Sequence, residues 1–390
     1  MNAHLVLALV LVVPFATVSS SAAHEEDVRA LREEIAALRS DVEALRMSLV
    51  DPSPGLSSIR LPEAISFAGT SVPLDRWDVA ERLEREFFLA LAERAQVILW
   101  LKRSARYFPY IEERLAAAGL PDDLKYVAVV ESSLLPAAYS SAHASGIWQF
   151  IPDTGRRYGL RVAAAWDDRR DPERSTSAAL AYLKDLHARF GDWPLALAAY
   201  NAGEGRVGGA MRSQRVSTYY QLALPTETER YVFRILAAKL ILDEPARYGL
   251  GVPLEERYAP HATEVVTVPV TGSLPVQDLA AAAGSFYREI RVLNPAIVGD
   301  RLPEGSYDVR IPTGAETRLV AMLPRLKRAA ATSDAPRVEY RVKRGDTLEG
   351  IARRFGVSVD ALKSGNRTAR RPHIYPGDRL IIERVGAPAR

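Results

Sequence analysis

From about Asp75 to Arg247 apolar residues recur at steps of three and four, and no stretch alternates as a half-buried strand requires. "VAERLEREFFLALAERAQVILWLKRSARYF" carries the pattern without a break. "GLPDDLKYVAVVESSLL" begins its helix with Pro121 and Asp122, while "DPERSTSAALAYLKDLHARFG" has an acidic, Ser/Thr-rich start and Gly191 as a stop. "ETERYVFRILAAKLIL" closes the block. Residues 75–252 are therefore expected to form one all-α domain.

After Val252 the rhythm changes. "VEYRVKRGDTLEGIARRFGVSVDALKSGNRTARRPHIYPGDRLIIE" reads as strand, turn at Gly345-Asp346, helix, stop at Gly356, second helix, turn at Pro376-Gly377 and strand. "SLPVQDLAAAAGSFYREIRVLNPAIVGDRLPEGSYDVRIP", from Ser273, repeats that order with "LNP" where the later copy has "SGN". Two βααβ modules are thus expected, over 264–314 and 338–384, separated by a linker over 315–337 in which "LPRLKRAAATSDAP" looks like a helix end and a flexible connector. The chain is multidomain, as its 390 residues allow.

The N-terminal segment is of another kind. "LVLALVLVVPFATV" is too short to span a bilayer comfortably, and "SSSAAH" follows with small residues suited to signal cleavage. Residues 1–23 are read as a signal peptide, against the alternative of a short membrane anchor; the n-region has no Lys or Arg. Export to the periplasm or cell envelope follows, not as a lipoprotein, since no Cys is present. Within 24–50, Val28, Leu31, Ile35, Leu38, Val42, Leu45 and Leu49 sit at coiled-coil spacing. That predicts a short coiled-coil helix serving self-association or a protein partner, or else one amphipathic helix folded onto the body. "DPSPGLSS" opens a linker over 51–74.

Composition removes several classes of function. Without cysteine there is neither a disulfide framework nor a thiolate metal site. Six scattered histidines offer no H-x-x-x-H pair, so no metal is expected, and without a Gly-rich phosphate loop or a calcium loop no cofactor is expected either. The net charge of +3 is too small to argue for nucleic acid.

Glu131 is the candidate for chemistry. It follows the apolar run "YVAVV", where partial desolvation disfavours the charged carboxylate and raises its pKa, the condition for a general acid near neutral pH. Alone, it could equally be a helix-end carboxylate reaching water or an Arg. Its surroundings add Ser140, Trp148 and Gln149 in "SSAHASGIWQF", with Gly146 permitting close backbone approach. "ALAAYNAGEGRVGG" sets Tyr200 and Asn201 before a Gly-rich turn. Taken singly, Trp148 and Tyr200 read as core aromatics.

"ESSLLPAAYSSAHASGIWQFIPDTGRRYGL", "LALAAYNAGEGRV" and "LPTETERYV" strongly resemble the three signature segments of lytic transglycosylases, in the order and rough spacing of the membrane-bound lytic murein transglycosylase D branch. The resemblance covers roughly Asp75 to Glu383, and its tail from about Val338 looks like a LysM module, preceded by a degenerate copy. It implies a goose-type, lysozyme-like SLT domain that cleaves the MurNAc-β-1,4-GlcNAc bond of peptidoglycan, with α+β LysM modules holding the glycan. Glu131 would be the sole catalytic acid/base and Ser140 would meet the substrate's N-acetyl group. Gly146, Trp148 and Gln149 would line the cleft, Tyr200 and Asn201 would lie beside the reacting sugar, and Glu227 would be a polar cleft residue. In the LysM module the glycan would contact Asp346, Thr347, Leu348, Ile374 and Pro376; Asp346 and Thr347 would equally serve as helix caps.

The implied mechanism needs no second carboxylate: the substrate's acetamido group stabilises the anomeric centre, and its C6 hydroxyl closes a 1,6-anhydro ring. Two other readings stand beside it. One is a hydrolytic muramidase on the same fold, with Glu227 as a possible second carboxylate. The other is a non-catalytic wall-binding scaffold. The chain departs from the family pattern in lacking the lipoprotein Cys, in carrying Leu134 where an aromatic is common, and in its N-terminal heptads.

Overall fold

The computed structural model describes residues 31–32, 34–36, 38–39, 58–333, 337–355, 357, 359, 362–363, 366 and 374–383. The chain divides into two units, Met1–Ser58 and Ile59–Arg390. In the first unit the described residues are helical, and Leu31, Ile35 and Leu38 are exposed. The expected signal segment lies outside the described residues, as does most of the heptad segment.

The second unit begins with a hairpin, β1 (Ser66–Phe67) and β2 (Thr70–Ser71). Residues from Ile59 onward are no free linker, contrary to the expectation for 51–74: Ile59, Ile65, Phe67 and Val72 are buried, and the Ala68 N–H donates to Asp123 at 2.7 Å. Ser and Pro between these apolar residues give the segment its linker-like composition, yet apolar burial ties it down.

Eight helices follow in the body: α1 (Trp77–Ala92), α2 (Arg94–Ala117), α3 (Lys125–Ser132), α4 (Pro152–Arg157), α5 (Pro172–Phe190), α6 (Trp193–Ala202), α7 (Glu204–Gln214) and α8 (Thr226–Asp243). The all-α expectation holds for this body apart from isolated bridges in the loops after α3 and α4. Helix boundaries follow local chemistry. Asp171 caps α5 by accepting from the N–H groups of Glu173 and Arg174, Pro172 supplies its first residue, and Gly191 ends it at φ +68°. Asp192 caps α6 in the same way.

Two helices are central. In α6 every residue from Trp193 to Ala199 is buried, and in α3 Tyr126 to Val129 are buried. A helix apolar on all sides must be wrapped by others; α5, α7 and α8 wrap α6, and α8 also packs on α3. Arg230 of α8 reaches Glu86 of α1 in two hydrogen bonds, at 2.8 and 3.0 Å, so the buried carboxylate is matched. Both central helices end at the same cleft, α3 with Glu131 and α6 with Tyr200 and Asn201.

The first βααβ module comprises β3 (Thr263–Val270), β4 (Leu274–Pro275), α9 (Val276–Ala282), α10 (Tyr287–Leu293), β5 (Arg301–Leu302) and β6 (Gly305–Pro312), with β3 antiparallel to β6. In the second, β7 (Arg337–Arg341) and β8 (Arg379–Glu383) pair in the same way around α12 (Leu348–Phe355). A shared device exposes their common plan. Asn294 donates to the Ile290 and Arg310 carbonyls and accepts from the Arg310 N–H; Asn366 does the same with Leu362 and Ile381. Each buried amide thereby pins a helix end to the last strand. The "LNP" and "SGN" segments are thus equivalent at this Asn.

Between the modules the structure corrects the expected connector. Glu316–Ser333 form an 18-residue helix, α11, that packs against β3 and α9 with Leu319 and Leu326 buried. Leu319, Met322, Leu323 and Leu326 make an apolar stripe that the Ala/Lys/Arg-rich composition conceals.

The first module is fixed to the helical body. Arg310 of β6 pairs with Asp171 at 2.6 Å and Glu173 at 2.8 Å, and Arg174 pairs with Asp308 at 2.8 Å. The Trp166 ring lies 4.9 Å from that of Tyr307 at a tilt of 52°, and the Asp167 N–H donates to the Ala296 carbonyl at 2.8 Å.

Candidate active site

Glu131 occupies the last turn of α3, and the chain reverses immediately after it. Ser133 and Leu134 both take left-handed conformations (φ 55° and 59°), and Leu134 is fully buried. Each left-handed non-Gly residue costs about 1–2 kcal/mol; burial of the Leu134 side chain offsets part of that cost. The packing explains why an aliphatic residue stands here. The single O–H of Ser132 is shared between the carbonyls of Ala128 at 3.1 Å and Ile147 at 2.9 Å, tying the helix end to the loop that carries Ser140 and Gln149.

That loop is built on Arg169. Its guanidinium is buried against Asp167 at 2.7 Å and donates to the carbonyls of His143 at 2.7 Å and Phe150 at 2.9 Å. Gly146 has φ +87°, and a Cβ there would lie 1.7 Å from the Arg169 carbonyl oxygen. Only glycine fits, so Gly146 sets how closely the loop packs on the segment before α5.

The resulting cleft has a volume of about 690 Å3 and brings together Glu131, Ser140, Gln149, Tyr200, Asn201 and Glu227. Ser140 accepts the Ala144 N–H on its hydroxyl, and Gln149 (φ 48°) donates to the Gly146 carbonyl at 2.9 Å. Tyr200 donates to the Trp148 carbonyl at 2.7 Å, and the Thr228 hydroxyl donates to Asn201 Oδ1 at 2.9 Å. Ser140, Gln149, Tyr200 and Asn201 are therefore each held by a neighbour before any ligand arrives.

Two expected cleft residues do not line it. The Trp148 side chain is fully buried and donates its indole N–H to Thr176 at 2.9 Å; its core role wins because the ring has a buried acceptor of its own. Gly146 acts through the backbone, as above. Among the cleft residues that carry no role in the sequence reading are Tyr231 and Arg234, both of which act on Glu131. They stand four and seven positions after Glu227 on α8, so one helix face delivers all three, and that spacing was the available signal.

Tyr231 is the residue closest to the chemistry, since its hydroxyl donates to Glu131 Oε1. Burial pushes the Glu131 pKa up to about 7; the Tyr231 hydrogen bond and the Arg234 charge pull it down, and the Glu227 charge adds to the rise. Tyr231 and Tyr200 are themselves raised well above the usual phenol value, first by burial and then by the Glu131 charge, so both remain protonated donors. Removing the Tyr231 hydroxyl takes away a lowering influence. Tyr231→Phe is therefore expected to move the alkaline limb of a pH–rate profile upward, which a profile of glycan-strand cleavage would register.

In the second module Asp346 accepts from the Tyr340 hydroxyl and the Lys343 N–H, both at 2.7 Å, and Thr347 Oγ1 accepts the Gly350 N–H at 3.0 Å as the cap of α12. Leu348 is buried, Ile374 half-buried and Pro376 exposed. The first module differs at the corresponding place. Its two loops are joined by the β4–β5 pairing and by Arg301, which donates to Ser273 Oγ at 2.7 Å and to the Ser273 carbonyl at 2.9 Å.

Comparison with known proteins agrees with this layout. A family model described as the transglycosylase SLT domain matches residues 109–222, which include Glu131 through Tyr200, and a LysM domain model matches 340–383. The membrane-bound lytic murein transglycosylase D of Escherichia coli K12 is 35% identical over 294 residues, covering 72% of this chain and 64% of that protein's length. A peptidoglycan transglycosylase of Escherichia phage T7 is 43% identical over 89 residues, 22% of this chain and 7% of its own. Among solved structures, the lytic transglycosylase Slt of Pseudomonas aeruginosa, in an inactive mutant, matches 39% of this chain and 26% of its own at 26% identity and a TM-score of 0.31. The chain therefore carries a transglycosylase SLT domain and a C-terminal LysM domain, and it is related to the membrane-bound lytic murein transglycosylases D.

Proposed function

We propose that this protein is a peptidoglycan lytic transglycosylase that cleaves the MurNAc-β-1,4-GlcNAc bond without consuming water, leaving 1,6-anhydroMurNAc ends. The observation that carries the reading is Glu131 at the head of the cleft with its pKa raised to about 7, so that a large fraction of the carboxyl is protonated at neutral pH. Protonated Glu131 gives its proton to the glycosidic oxygen as that bond breaks. The substrate's acetamido oxygen stabilises the anomeric centre, with Ser140 positioned for the acetamido group. The Glu131 carboxylate then takes the proton of the C6 hydroxyl, which closes on the anomeric carbon. One carboxyl serves both steps, as a pKa near the working pH favours.

Tyr231 holds the carboxyl in place, and Gln149, Tyr200, Asn201 and Glu227 provide the polar wall along the sugar chain. The second module would hold the glycan between the loop carrying Asp346, Thr347 and Leu348 and the loop carrying Ile374 and Pro376. Such a tether raises the local concentration of strand at the cleft. The closed loops of the first module argue for a structural role there. The protein would act after export to the cell envelope, where this polymer lies, with the N-terminal heptads available for self-association.

Peptidoglycan incubated with the protein or with Glu131→Gln, followed by mass spectrometry of the soluble products, tests the reading. The expected result is muropeptides one water lighter than reducing-end products, from the unmodified protein only. Products with reducing ends would make it a hydrolase, and equal release by the variant would remove Glu131 from the chemistry.

A further inference from the structure

A second groove, separate from the cleft of Glu131, lies where the helical body meets the first βααβ module. Its volume is about 640 Å3. Arg103 and Arg106 enter it from α2, Arg170 from the segment before α5, and Arg288 and Arg291 from α10. No Asp or Glu lines it, and among the described residues none of these five arginines forms an ion pair.

Neutral oxygens hold the guanidinium groups in place. Arg103 donates to the Ser133 carbonyl at 3.1 Å, Arg106 to that of Ala259 at 3.0 Å and Arg291 to that of Gly299 at 2.6 Å. Arg170 donates to the Ser145 hydroxyl at 3.1 Å. Arg106 also lies over the Tyr258 ring at 5.4 Å and Arg291 over that of Tyr287 at 5.6 Å. Each guanidinium has five N–H donors, and these contacts use only one or two of them. Burial and the Arg106 charge lower the pKa of His261, which also lines the groove, so the positive field is felt there.

Five like charges without counter-ions, on rigid elements of two different domains, repel one another unless a ligand brings negative charge. Planar forks match carboxylates and phosphates in two parallel hydrogen bonds. The floor between the arginines is apolar, with Leu135, Pro136, Val292 and Ile297. A smaller cavity of about 140 Å3 shares Arg106, Tyr107 and His261 and adds Ile111 and Ile147, together with Glu173, whose carboxylate is paired with Arg310 at 2.8 Å. Alternating apolar and cationic contacts suit a chain with aliphatic groups between its carboxylates better than a bare phosphate polymer.

We propose that this groove binds a short acidic peptide and that its ligand is the peptide stem of the wall polymer. The identification of the stem rests on the peptidoglycan reading above. Its residues, small aliphatic ones alternating with free carboxylates, match the floor and the forks. The segment Leu134–Ala137 lines this groove, while Glu131 and Ser140 at either side of it line the cleft, so one stretch of chain borders both. The first module thereby has a role that its own closed loops do not provide.

Calorimetric titration of the full chain with free stem tetrapeptide, with inorganic phosphate and with anionic phosphatidylglycerol vesicles tests the proposal. The tetrapeptide is expected to bind the unmodified protein and Glu131→Gln alike, and more weakly as salt is raised. An Arg288→Gln, Arg291→Gln double variant should lose about tenfold or more in affinity, the scale of lost charge-assisted hydrogen bonds. Arg288→Gln alone, at an exposed side chain, guards against a folding defect and should show a smaller loss of the same sign. No peptide binding, unchanged affinity in both variants, or preference for phosphate or vesicles would overturn the proposal. Glycan cleavage without peptide binding would remove this inference and leave the lytic reading standing; peptide binding without any glycan cleavage would do the reverse.

Discussion

Glu131→Gln is expected to lower glycan cleavage by about two to four orders of magnitude, the range spanned by a single general acid–base group. The same change should make the protein more stable in alkaline solution. The carboxyl's pKa is about 7 in the folded protein against an ordinary value of 4.5, so the folded state holds the proton more tightly. Below pH 4.5 both states are protonated and the site costs nothing. As pH rises through the window from 4.5 to about 7, the unfolded chain releases its proton first, and folding stability falls. Glutamine carries no charge to desolvate. The variant should therefore gain about 3 kcal/mol over the unmodified protein above pH 7, and urea unfolding at pH 5 and at pH 8 would show that difference only partly at the lower value. Loss of activity together with gained stability is a pattern that an ordinary structural carboxylate would not give.

Asp167→Ala has the opposite sign. It leaves the Arg169 guanidinium buried without its partner, and breaking a buried pair in this way costs about 3–5 kcal/mol. Arg169 also fixes the carbonyls of His143 and Phe150, so the loop bearing Ser140 and Gln149 loses its anchor at the same time. The expected outcome is a lower urea midpoint and weaker substrate binding, seen as a raised KM, with the Glu131 pKa little changed. A variant that unfolds at the normal midpoint would show that the loop is held by something other than this pair.

Much of this was legible in the sequence because it rests on periodicity and on local chemistry. The helical body follows from apolar residues at three- and four-residue steps, its boundaries from Asp171, Pro172 and Gly191, and the paired modules from a repeated strand–helix–helix–strand rhythm. Glu131 was legible because an apolar run ending in a carboxylate is costly without a use. What stayed hidden depends on contacts between distant segments. Trp148 lies in a segment rich in cleft residues, and only the three-dimensional position of Thr176 shows that its indole belongs to the core. Tyr231 is one hundred positions from Glu131, and nothing local to either residue says that they meet. The buried halves of the expected linkers are hidden for a different reason: short apolar stripes, such as Leu319 to Leu326, sit among Ala, Lys and Arg residues whose composition resembles that of a connector. The arginine groove combines residues from α2, the segment before α5 and α10, three stretches that lie far apart in the sequence.

The central claim is that Glu131 activates the sugar's own C6 hydroxyl and not a water. Cleavage of peptidoglycan in water enriched in oxygen-18, followed by mass spectrometry of the new MurNAc ends, tests it most directly. Anhydro ends with no label above the unenriched control are expected. One labelled oxygen per new end would mean that water completes the reaction, and the cleft that holds Glu204 and Glu227 beside Glu131 would then be that of a hydrolase.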